Sequence, residues 1–238
     1  MEKEEWQNLN RLLQSLRIIL PNSYFQNKKI LVTAGPTYEK IDPVRFIGNF
    51  STGKMGIEIA LKLAEYGAQV YLVIGPTCLS VNHPNINVHH VVSAIEMKDA
   101  CLSYFPNCDM AILSAAVADY RPAEYQTQKI KKKEETFSIQ LVKNPDIFKT
   151  LGELKQDHQK IIGFALETQN EIENAKKKLM AKNGDAIVLN SLNDEGAGFG
   201  KSTNKISVIL KNGLIFDYSL KEKIEVAKDL LKCISENL

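Results

Sequence analysis

The 238-residue chain has 44% hydrophobic and 24% charged residues, which is typical of a globular protein with one large α/β domain or two small ones. Its 30 lysine and arginine residues nearly balance 28 aspartate and glutamate residues, which excludes a global basic field for nucleic-acid binding, so any anion site must be local. The four cysteines have neither C-x-x-C spacing nor histidines at metal spacing, which argues against a zinc site or a disulfide framework and fits a reducing cytoplasm.

Residues 1–28 are predicted to form an amphipathic helix and a connector. Residues 5–20 carry apolar side chains at helical spacing, and the sequence PNS then ends the pattern. We expect the helix to pack on its own domain, with a partner contact as the alternative. The acidic start MEKEEW is unlike a signal peptide, and no apolar run approaches the roughly 20 residues that span a bilayer. A cytoplasmic protein without a membrane segment is therefore expected.

Residues 29–238 are predicted to form one Rossmann-like α/β domain. Short β-branched runs alternate with helical runs, which favours a mainly parallel sheet with helices on both faces. The predicted strands are KILVTA, QVYLVIG, INVHHVV, MAILSAA, KIIGFALE, DAIVLN and ISVIL. Helices are predicted over 54–67, 93–104 and 170–182, and after Tyr218.

A lysine-rich polar segment, Arg121 to Glu135, interrupts this alternation and is followed by TFSIQLV. We expect that run to pair as a hairpin strand, which gives a small β-hairpin or flap element. Ligands in open α/β sheets bind outside the carboxyl ends of the strands. The residues expected at those ends are 34–37, 75–76, 114–120, 165–168 and 189–192.

Two segments have the spelling of a phosphate-binding loop without its context. Gly48–Lys54, GNFSTGK, matches G-x-x-x-x-G-K, but Met55 replaces the metal-binding hydroxyl residue and the preceding strand ends near Ala34. In the second segment, GKST at 200–203, Glu195 stands in place of the first glycine. Neither segment is predicted to be a Walker loop.

The stretch NFSTGKMG nevertheless opens a predicted helix. Ser51 or Thr52 can cap that helix, and Gly53 lets another group approach the backbone. Free N–H groups at a helix start favour an anion, so an anion site is one interpretation and an ordinary capped helix is the other.

Tyr125 and Lys129, with Ser114 upstream, have the Y-x-x-x-K spacing of short-chain dehydrogenases. Those enzymes need a glycine-rich turn after the first strand, whereas TAGPTYEK has one glycine and a proline. An NAD(P) oxidoreductase that uses Tyr125 and Lys129 is kept as an alternative, as is a non-catalytic nucleotide-binding module.

Six segments taken together resemble the phosphopantothenate–cysteine ligase family of coenzyme A biosynthesis. Their order and approximate spacing match from residue 29 to about 218. The segments are TAGPTYEKIDPVRFIGNFSTGKMG, SAAVADYRP, KIKK, LVKNPDI, IGFALET and KKKLMAKNGDAIVLN. The resemblance implies a Rossmann-like fold, a homodimer, and ligation of 4'-phosphopantothenate to L-cysteine through an acyl-nucleotide. It also implies Mg²⁺ and a nucleotide, which is CTP (an acyl-cytidylate) in most bacteria and commonly ATP in eukaryotes.

Many bacterial members of that family are fused behind a flavoprotein decarboxylase domain. Because 28 residues before the first strand are too few for such a domain, a stand-alone ligase with no flavin is expected, and a separate phosphopantothenoylcysteine decarboxylase is a candidate partner. Gly48 departs from the family pattern, since relatives usually carry serine or threonine there. The helix of residues 5–20 matches nothing in that pattern.

The resemblance assigns the chemistry to Asn49 and Lys129. Lys129, first in KIKK, resembles the family's nucleotide-binding lysine on a mobile flap; a solvated charge run is the ordinary alternative. Asn49 matches the asparagine associated with the acyl-nucleotide, where a neutral amide could donate to the carbonyl oxygen; its alternative is a turn residue. Arg45 is a candidate ligand for the phosphate of phosphopantothenate.

The remaining predicted site residues also follow from the resemblance. Asp119 could hold Mg²⁺ or a ribose hydroxyl, and Ala115 and Ala116 would let substrate approach the backbone. The predicted base pocket comprises Asn144, Pro145, Asp146 and Ile147, with Phe164, for which core packing is the alternative. Lys178 and Lys182 share a helix face and could reach a phosphate or the base, although solvation is the ordinary explanation of such lysines.

Overall fold

The computed structural model describes residues 23–131, 135–191 and 198–238. The predicted helix over 5–20 lies outside these residues. The described strands are β1 (Lys29–Ala34), β2 (Tyr38–Lys40), β3 (Phe46–Gly48), β4 (Gln69–Ile74), β5 (Ile86–His90), β6 (Met110–Leu113), β7 (Tyr120–Pro122), β8 (Leu141–Lys143), β9 (Lys160–Glu167), β10 (Ala186–Ser191), β11 (Thr203–Asn204), β12 (Ser207–Leu210), β13 (Ile215–Asp217) and β14 (Lys221–Glu222). The α-helices are α1 (Lys54–Glu65), α2 (Ala94–Tyr104), α3 (Ile147–Leu154), α4 (Glu171–Ala181) and α5 (Lys223–Asn237).

An eight-stranded sheet forms the centre of the described fold, in the order β13-β12-β10-β9-β6-β1-β4-β5. The strands from β5 to β10 in this order are parallel, whereas β12 and β13 are antiparallel additions at one edge. Helices cover both faces, as the alternation of side chains along a strand requires. Ile30 and Val32 pack in the cluster that includes α1 and α5, and Leu31 packs in the cluster that includes α2, α3 and α4. The predicted Rossmann-like, mainly parallel α/β fold is confirmed.

The strand order changes direction at β1. The chain leaves β1 through α1 to reach β4 on one side, whereas β6 occupies the other side of β1 after the chain has passed through β5 and α2. The segments after β1 and β6 therefore separate at the carboxyl edge, which leaves a crevice there. A backbone bridge between Pro36 and Ala116 joins the two segments just beyond the strands.

The start of α1 differs from the predicted cap. Neither Ser51 nor Thr52 caps the helix: Gly53 holds the cap position at φ 81°, without a side-chain hydrogen bond. Ser51 Oγ instead accepts from the N–H of Gly53 at 3.3 Å. A Cβ at Gly53 would lie 3.2 Å from Gly35 Cα, so this turn needs glycine both for its left-handed backbone and for its close packing.

Two observed strands are shorter than the runs that predicted them, and two further elements were not predicted from the sequence. The run MAILSAA forms a strand only over β6, because the chain then bends into the crevice. The run TFSIQLV contributes only β8, which pairs antiparallel with β7. The eight-residue helix α3, which begins directly after Asp146, was not predicted, and neither was the hairpin of β2 and β3.

None of the helices in the described ranges combines the length and the apolarity that a bilayer-crossing segment requires.

Candidate active site

A cleft of about 910 Å³ opens at the carboxyl edge of the sheet, where the strand order changes direction. Its walls come from the segments after β1, β6, β8 and β9, from the start of α1, and from the loop before β11. Of the site residues predicted from the sequence, those that line it are Asn49, Ala115, Ala116, Asp119, Asn144, Pro145, Asp146, Ile147, Phe164, Lys178 and Lys182. The cleft thus joins positions that are more than a hundred residues apart in the chain.

The first wall is the segment after β6, which is held against the segment after β1. The N–H of Ala116 donates to Gly35 O at 2.9 Å, and the N–H of Ala115 donates to Thr33 Oγ1 at 3.2 Å. Asn49 reaches the same wall, because its Nδ2 donates to Ala116 O at 2.9 Å. These bonds place a neutral amide beside backbone that carries only small side chains.

The second wall is the turn between β8 and α3. The N–H of Asn144 donates to Asp119 O and its Nδ2 donates to Ala118 O, both at 2.8 Å. Asp146 caps α3, since its Oδ1 accepts from the N–H of Lys149 at 3.0 Å. Hydrogen bonds therefore fix the turn against Ala118 and Asp119, at the end of the first wall.

Lys178 and Lys182 each form a salt bridge with a carboxylate of the described structure. Lys178 pairs with Glu167 at 2.5 Å, and Lys182 pairs with Asp146 at 2.9 Å. The ammonium of Lys182 also lies 5.5 Å from the centroid of the Phe148 ring. A phosphate at this wall must therefore compete with two carboxylate contacts. The Glu167 side chain is 13% exposed, whereas the Asp146 side chain is 42% exposed and its contact is weak in water.

Arg45, Lys129 and Tyr125 do not line this cleft. The Arg45 guanidinium binds Asp42 through Nε at 3.0 Å and Nη2 at 2.5 Å, and it also donates to Ile130 O at 3.1 Å. Asp42 Oδ2 accepts from the N–H of Ile130 at 3.1 Å. Asp42 and Arg45 therefore anchor the flap next to Lys129, whose side chain is exposed.

The oxidoreductase arrangement is not assembled either. Ser114 lines the cleft, whereas Tyr125 and Lys129 lie outside it and Tyr125 is 50% exposed. Proton transfer between a tyrosine and a serine-bound substrate would require these groups within hydrogen-bonding reach.

The polar residues of the cleft that were not predicted as site residues include Lys54, Asn190, Asn204 and Lys223. Lys54 was quoted only as part of a helix start, and Asn190 only as the end of a strand. Asn204 and Lys223 carry no local signal, because they enter the cleft from strand β11 and helix α5, which follow the parallel part of the sheet.

The described residues contain no group of three or more histidine, cysteine, aspartate or glutamate side chains that could hold a metal. Asp119 is an exposed carboxylate at the cleft, and Asp146 is a second one on the facing turn. This donor set fits Mg²⁺ only in the way in which the ion is usually bound with nucleotides, by phosphate oxygens, waters and one or two carboxylates.

A family model described as "DNA/pantothenate metabolism flavoprotein C-terminal domain" matches residues 25–238. The chain belongs to this family. The resemblance found in the six sequence segments is thereby confirmed for this domain. The chain is 38% identical over 232 residues to the coenzyme A biosynthesis bifunctional protein CoaBC of Bacillus subtilis, covering 98% of this chain and 57% of that protein.

A further relative, named cysteine/cysteine sulfinic acid decarboxylase and from an unknown prokaryotic organism, is 49% identical over 207 residues, which covers 87% of this chain and 58% of the relative. The chain thus spans less than three-fifths of the length of either curated relative. Their names describe proteins in which this domain is one part.

Solved structures agree with the fold. The crystal structure of the C-terminal domain of the bifunctional protein CoaBC has a TM-score of 0.76 and 42% identity, and the match covers 90% of this chain and 97% of that one. The DNA/pantothenate metabolism flavoprotein from Streptococcus pneumoniae has a TM-score of 0.74 and 26% identity, with 88% and 99% covered.

Proposed function

We propose that this chain joins 4'-phosphopantothenate to L-cysteine in coenzyme A biosynthesis, through an acyl-cytidylate intermediate, with CTP consumed and CMP and pyrophosphate released. The observation that carries the proposal is a cleft, in a chain of this family, that brings together Asn49, the small side chains of Ala115 and Ala116, and the turn Asn144–Ile147. An acid that is activated by a nucleotide needs room for an acyl group and a base on either side of one phosphorus atom.

The first step brings a carboxylate to the α-phosphorus of the nucleotide, so it joins two anions. Its barrier falls when positive groups hold the phosphates. The cleft supplies the uncapped N–H groups at the start of α1 beside Gly53, together with Lys54 and Lys223. Mg²⁺ bound with the nucleotide would neutralise further phosphate charge, and Asp119 is the described carboxylate best placed to receive it.

The second step is attack of the cysteine amine on the activated carbonyl, whose oxygen gains charge. Asn49 is our candidate for stabilising that oxygen. One N–H of its amide is used by Ala116 O, which orients the group, and the second N–H remains to serve the substrate. A neutral amide does this without repelling the anionic intermediate.

The base of the nucleotide is proposed to lie against the turn Asn144–Ile147, beside the half-buried Phe164. Backbone groups of a rigid turn can read one edge of the base while an aromatic ring packs on its face. Lys178 on α4 and Lys182 directly after it would border the same nucleotide. Lys129, on the flap that includes the lysine-rich segment from Arg121, would reach the nucleotide after the flap folds toward the cleft. Arg45 would either keep the flap bound through Asp42 and Ile130 or bind the phosphate of phosphopantothenate.

The test is to incubate the protein with 4'-phosphopantothenate, cysteine and either CTP or ATP, and to measure pyrophosphate and amide. We expect both products with CTP. Product formation with ATP alone would support the ATP-using version of the ligase. A folded protein that releases no pyrophosphate with either nucleotide contradicts the ligase proposal, and NAD(P)H turnover would support the oxidoreductase alternative.

Two assembly proposals accompany this function. A homodimer is favoured by a set of exposed apolar side chains around the β2–β3 hairpin: Val44 is 60% exposed, Phe46 49% and Phe50 91%.

A phosphopantothenoylcysteine decarboxylase is a candidate partner, because it would consume the ligase product. We place the reaction in the cytoplasm, in line with the composition.

A further inference from the structure

Lys223 is a buried lysine that is not neutralised by an acid in the described parts of the chain. It is the first residue of α5, is 4% exposed and borders the cleft. Its Nζ donates to Lys201 O at 2.7 Å and to Gly198 O at 3.3 Å. An ammonium has three N–H donors, so one remains beyond these two carbonyls. A buried charge without a counter-ion is costly, and this one stands where a ligand would enter.

Lys54 supplies a second cation to the corner of the cleft that Lys223 borders. It is the first residue of α1, directly after the left-handed Gly53, and it forms no ion pair within the described residues. Burial, with Lys54 as the second cause, lowers the pKa of Lys223. Asp146, which lines the facing wall, is already paired with Lys182. Among the described residues, the corner therefore combines two cations and the positive end of α1, and none of these residues supplies a carboxylate bound to either cation.

Asn204 gives independent support for a ligand here. It lines the cleft and is 2% exposed, yet its Oδ1 has no hydrogen-bond donor in the part of the chain that the structure describes. Its Nδ2 is used by Asn190 Oδ1 at 3.3 Å. Buried acceptors in native proteins are nearly always satisfied, and a lone one beside a cleft is met by water or by a bound molecule.

We propose that Lys223 and Lys54 bind the pyrophosphate end of the nucleotide and hold it as it leaves. This inference rests on the proposed function, in which the base lies at Asn144–Ile147 and the acyl group lies at Asn49. In the step itself a carboxylate oxygen forms a bond to the α-phosphorus, and the bond from that phosphorus to the bridging oxygen breaks. The electron pair stays with the pyrophosphate, whose new charge faces the two ammonium groups. Asn204 Oδ1, an acceptor that an anion would repel, accepts from a water that bridges to the pyrophosphate.

Lys223 is also tied to the loop that covers this corner. The Lys223 ammonium donates to the carbonyls of both Gly198 and Lys201. An anion that attracts the ammonium into the cleft would therefore also pull the loop toward the cleft or break these two hydrogen bonds. Release of pyrophosphate and movement of residues 198–201 are therefore linked through one side chain.

The test is direct binding of inorganic pyrophosphate, measured by calorimetry on the whole chain, for Lys54→Met, Lys223→Met and Lys223→Arg. We expect each Met variant to weaken binding about tenfold or more, as loss of a charge-assisted contact does, and Arg to retain part of the affinity. The matched control is Lys221→Met, two residues away, where the lysine pairs with Asp229 at 2.6 Å outside the cleft. That control should bind pyrophosphate as the wild type does.

Binding of CMP separates this corner from the rest of the site, since its base and single phosphate should bind equally in all variants. Wild-type pyrophosphate affinity in folded Lys54→Met, or no binding by the wild-type protein, would overturn the inference. Lys54→Met keeps the test valid if Lys223→Met fails to fold, because Lys54 does not hold the loop. If the ligase assay fails but the protein still binds pyrophosphate in a way that depends on Lys54 and Lys223, the proposed ligase reaction is rejected and the pyrophosphate site is retained.

Discussion

Asn49 shows how one hydrogen bond defines a candidate catalytic residue. Asparagine is common in turns, and the alternative interpretation was that Asn49 only shapes the chain. Its Nδ2 bonds to Ala116 O, across the crevice between the segments that follow β1 and β6. The residue therefore stands on the wall where an acyl group would lie, with its orientation set by a carbonyl of that wall.

Asn49→Asp should separate the two chemical steps. The carboxylate cannot donate to the substrate carbonyl, and it would face Ala116 O as a second acceptor, so amide formation should fall by about a hundredfold or more. Pyrophosphate release should continue, and the acyl-nucleotide should accumulate and be seen by mass spectrometry. Asn82→Asp, an exposed position away from the cleft, is the control. Amide formation at the wild-type rate would mean that Asn49 is a turn residue.

Asp42 and Arg45 give the flap a pH-resistant anchor. The hydrogen bond from Arg45 holds the pKa of the Asp42 carboxyl well below its ordinary value, and the N–H groups of Val44 and Ile130 add to this effect. A carboxyl whose pKa is lower in the folded state contributes stability above its unfolded-state pKa, and that stability is lost as the pH falls through the folded-state pKa. The anchor should therefore remain intact at pH 4, close to the ordinary pKa of an aspartate.

The measurement is amide hydrogen exchange at Val44 and Ile130, corrected for the intrinsic pH dependence. Protection in the wild type should be constant from pH 7 to pH 4. In Asp42→Asn protection should be low over the whole range, since the amide loses the charge that Arg45 binds. Equal protection in the two proteins would show that the flap is held by other contacts.

The β2–β3 hairpin leaves little room for a side chain at Gly48, where the resemblance implies serine or threonine. Gly48 pairs with Tyr38, and a Cβ there would lie 2.8 Å from Tyr38 Cδ1 and 3.0 Å from Thr37 O. The Tyr38 ring stacks on Phe46, with centroids 3.8 Å apart. Space that a hydroxyl side chain would need is thus taken by an aromatic pair.

Gly48→Ser should therefore destabilise this chain. We expect a loss of about 1–3 kcal/mol in the free energy of unfolding, because the Tyr38 ring must move off its stack. Urea denaturation of Gly48→Ser, Tyr38→Ala and the double variant tests this: the serine should cost little once the ring is gone. Additive losses would rule out the ring as the cause.

At the scale of the whole molecule, the exposed apolar side chains near the hairpin form the surface that we propose for a homodimer. Phe50 is 91% exposed next to Asn49, so the surface adjoins the candidate active site. If the chain is a homodimer through this surface, Phe50→Asp should give a species of half the mass in sedimentation, because a charge would be buried against apolar groups. Phe137→Asp, 58% exposed on the flap side, is the comparison. A wild-type protein that sediments as a monomer at micromolar concentration would contradict the homodimer.

The parallel core was predictable because each of its strands carries its own signal. A strand buried on both faces is a short continuous apolar run, as in β1, where five consecutive residues from Ile30 to Ala34 are buried. The carboxyl ends of those runs also indicated the edge at which the cleft opens, and Ala115, Ala116 and Asp119 line that cleft. Order along the chain was enough for these residues, since parallel strands deliver their ends to one edge.

The sequence by itself determined the fold class, the family and the edge of the sheet where the cleft opens, because all three follow from patterns that are local or that keep their order along the chain. Only the tertiary structure decided which polar side chains meet there. It brought Lys223 and Asn204 into the cleft from beyond the parallel strands, and it left Arg45 and Lys129 at the flap's anchor outside it. The physical reason is that a long-range contact depends on how strands and loops return in space, which no spacing within a single segment encodes.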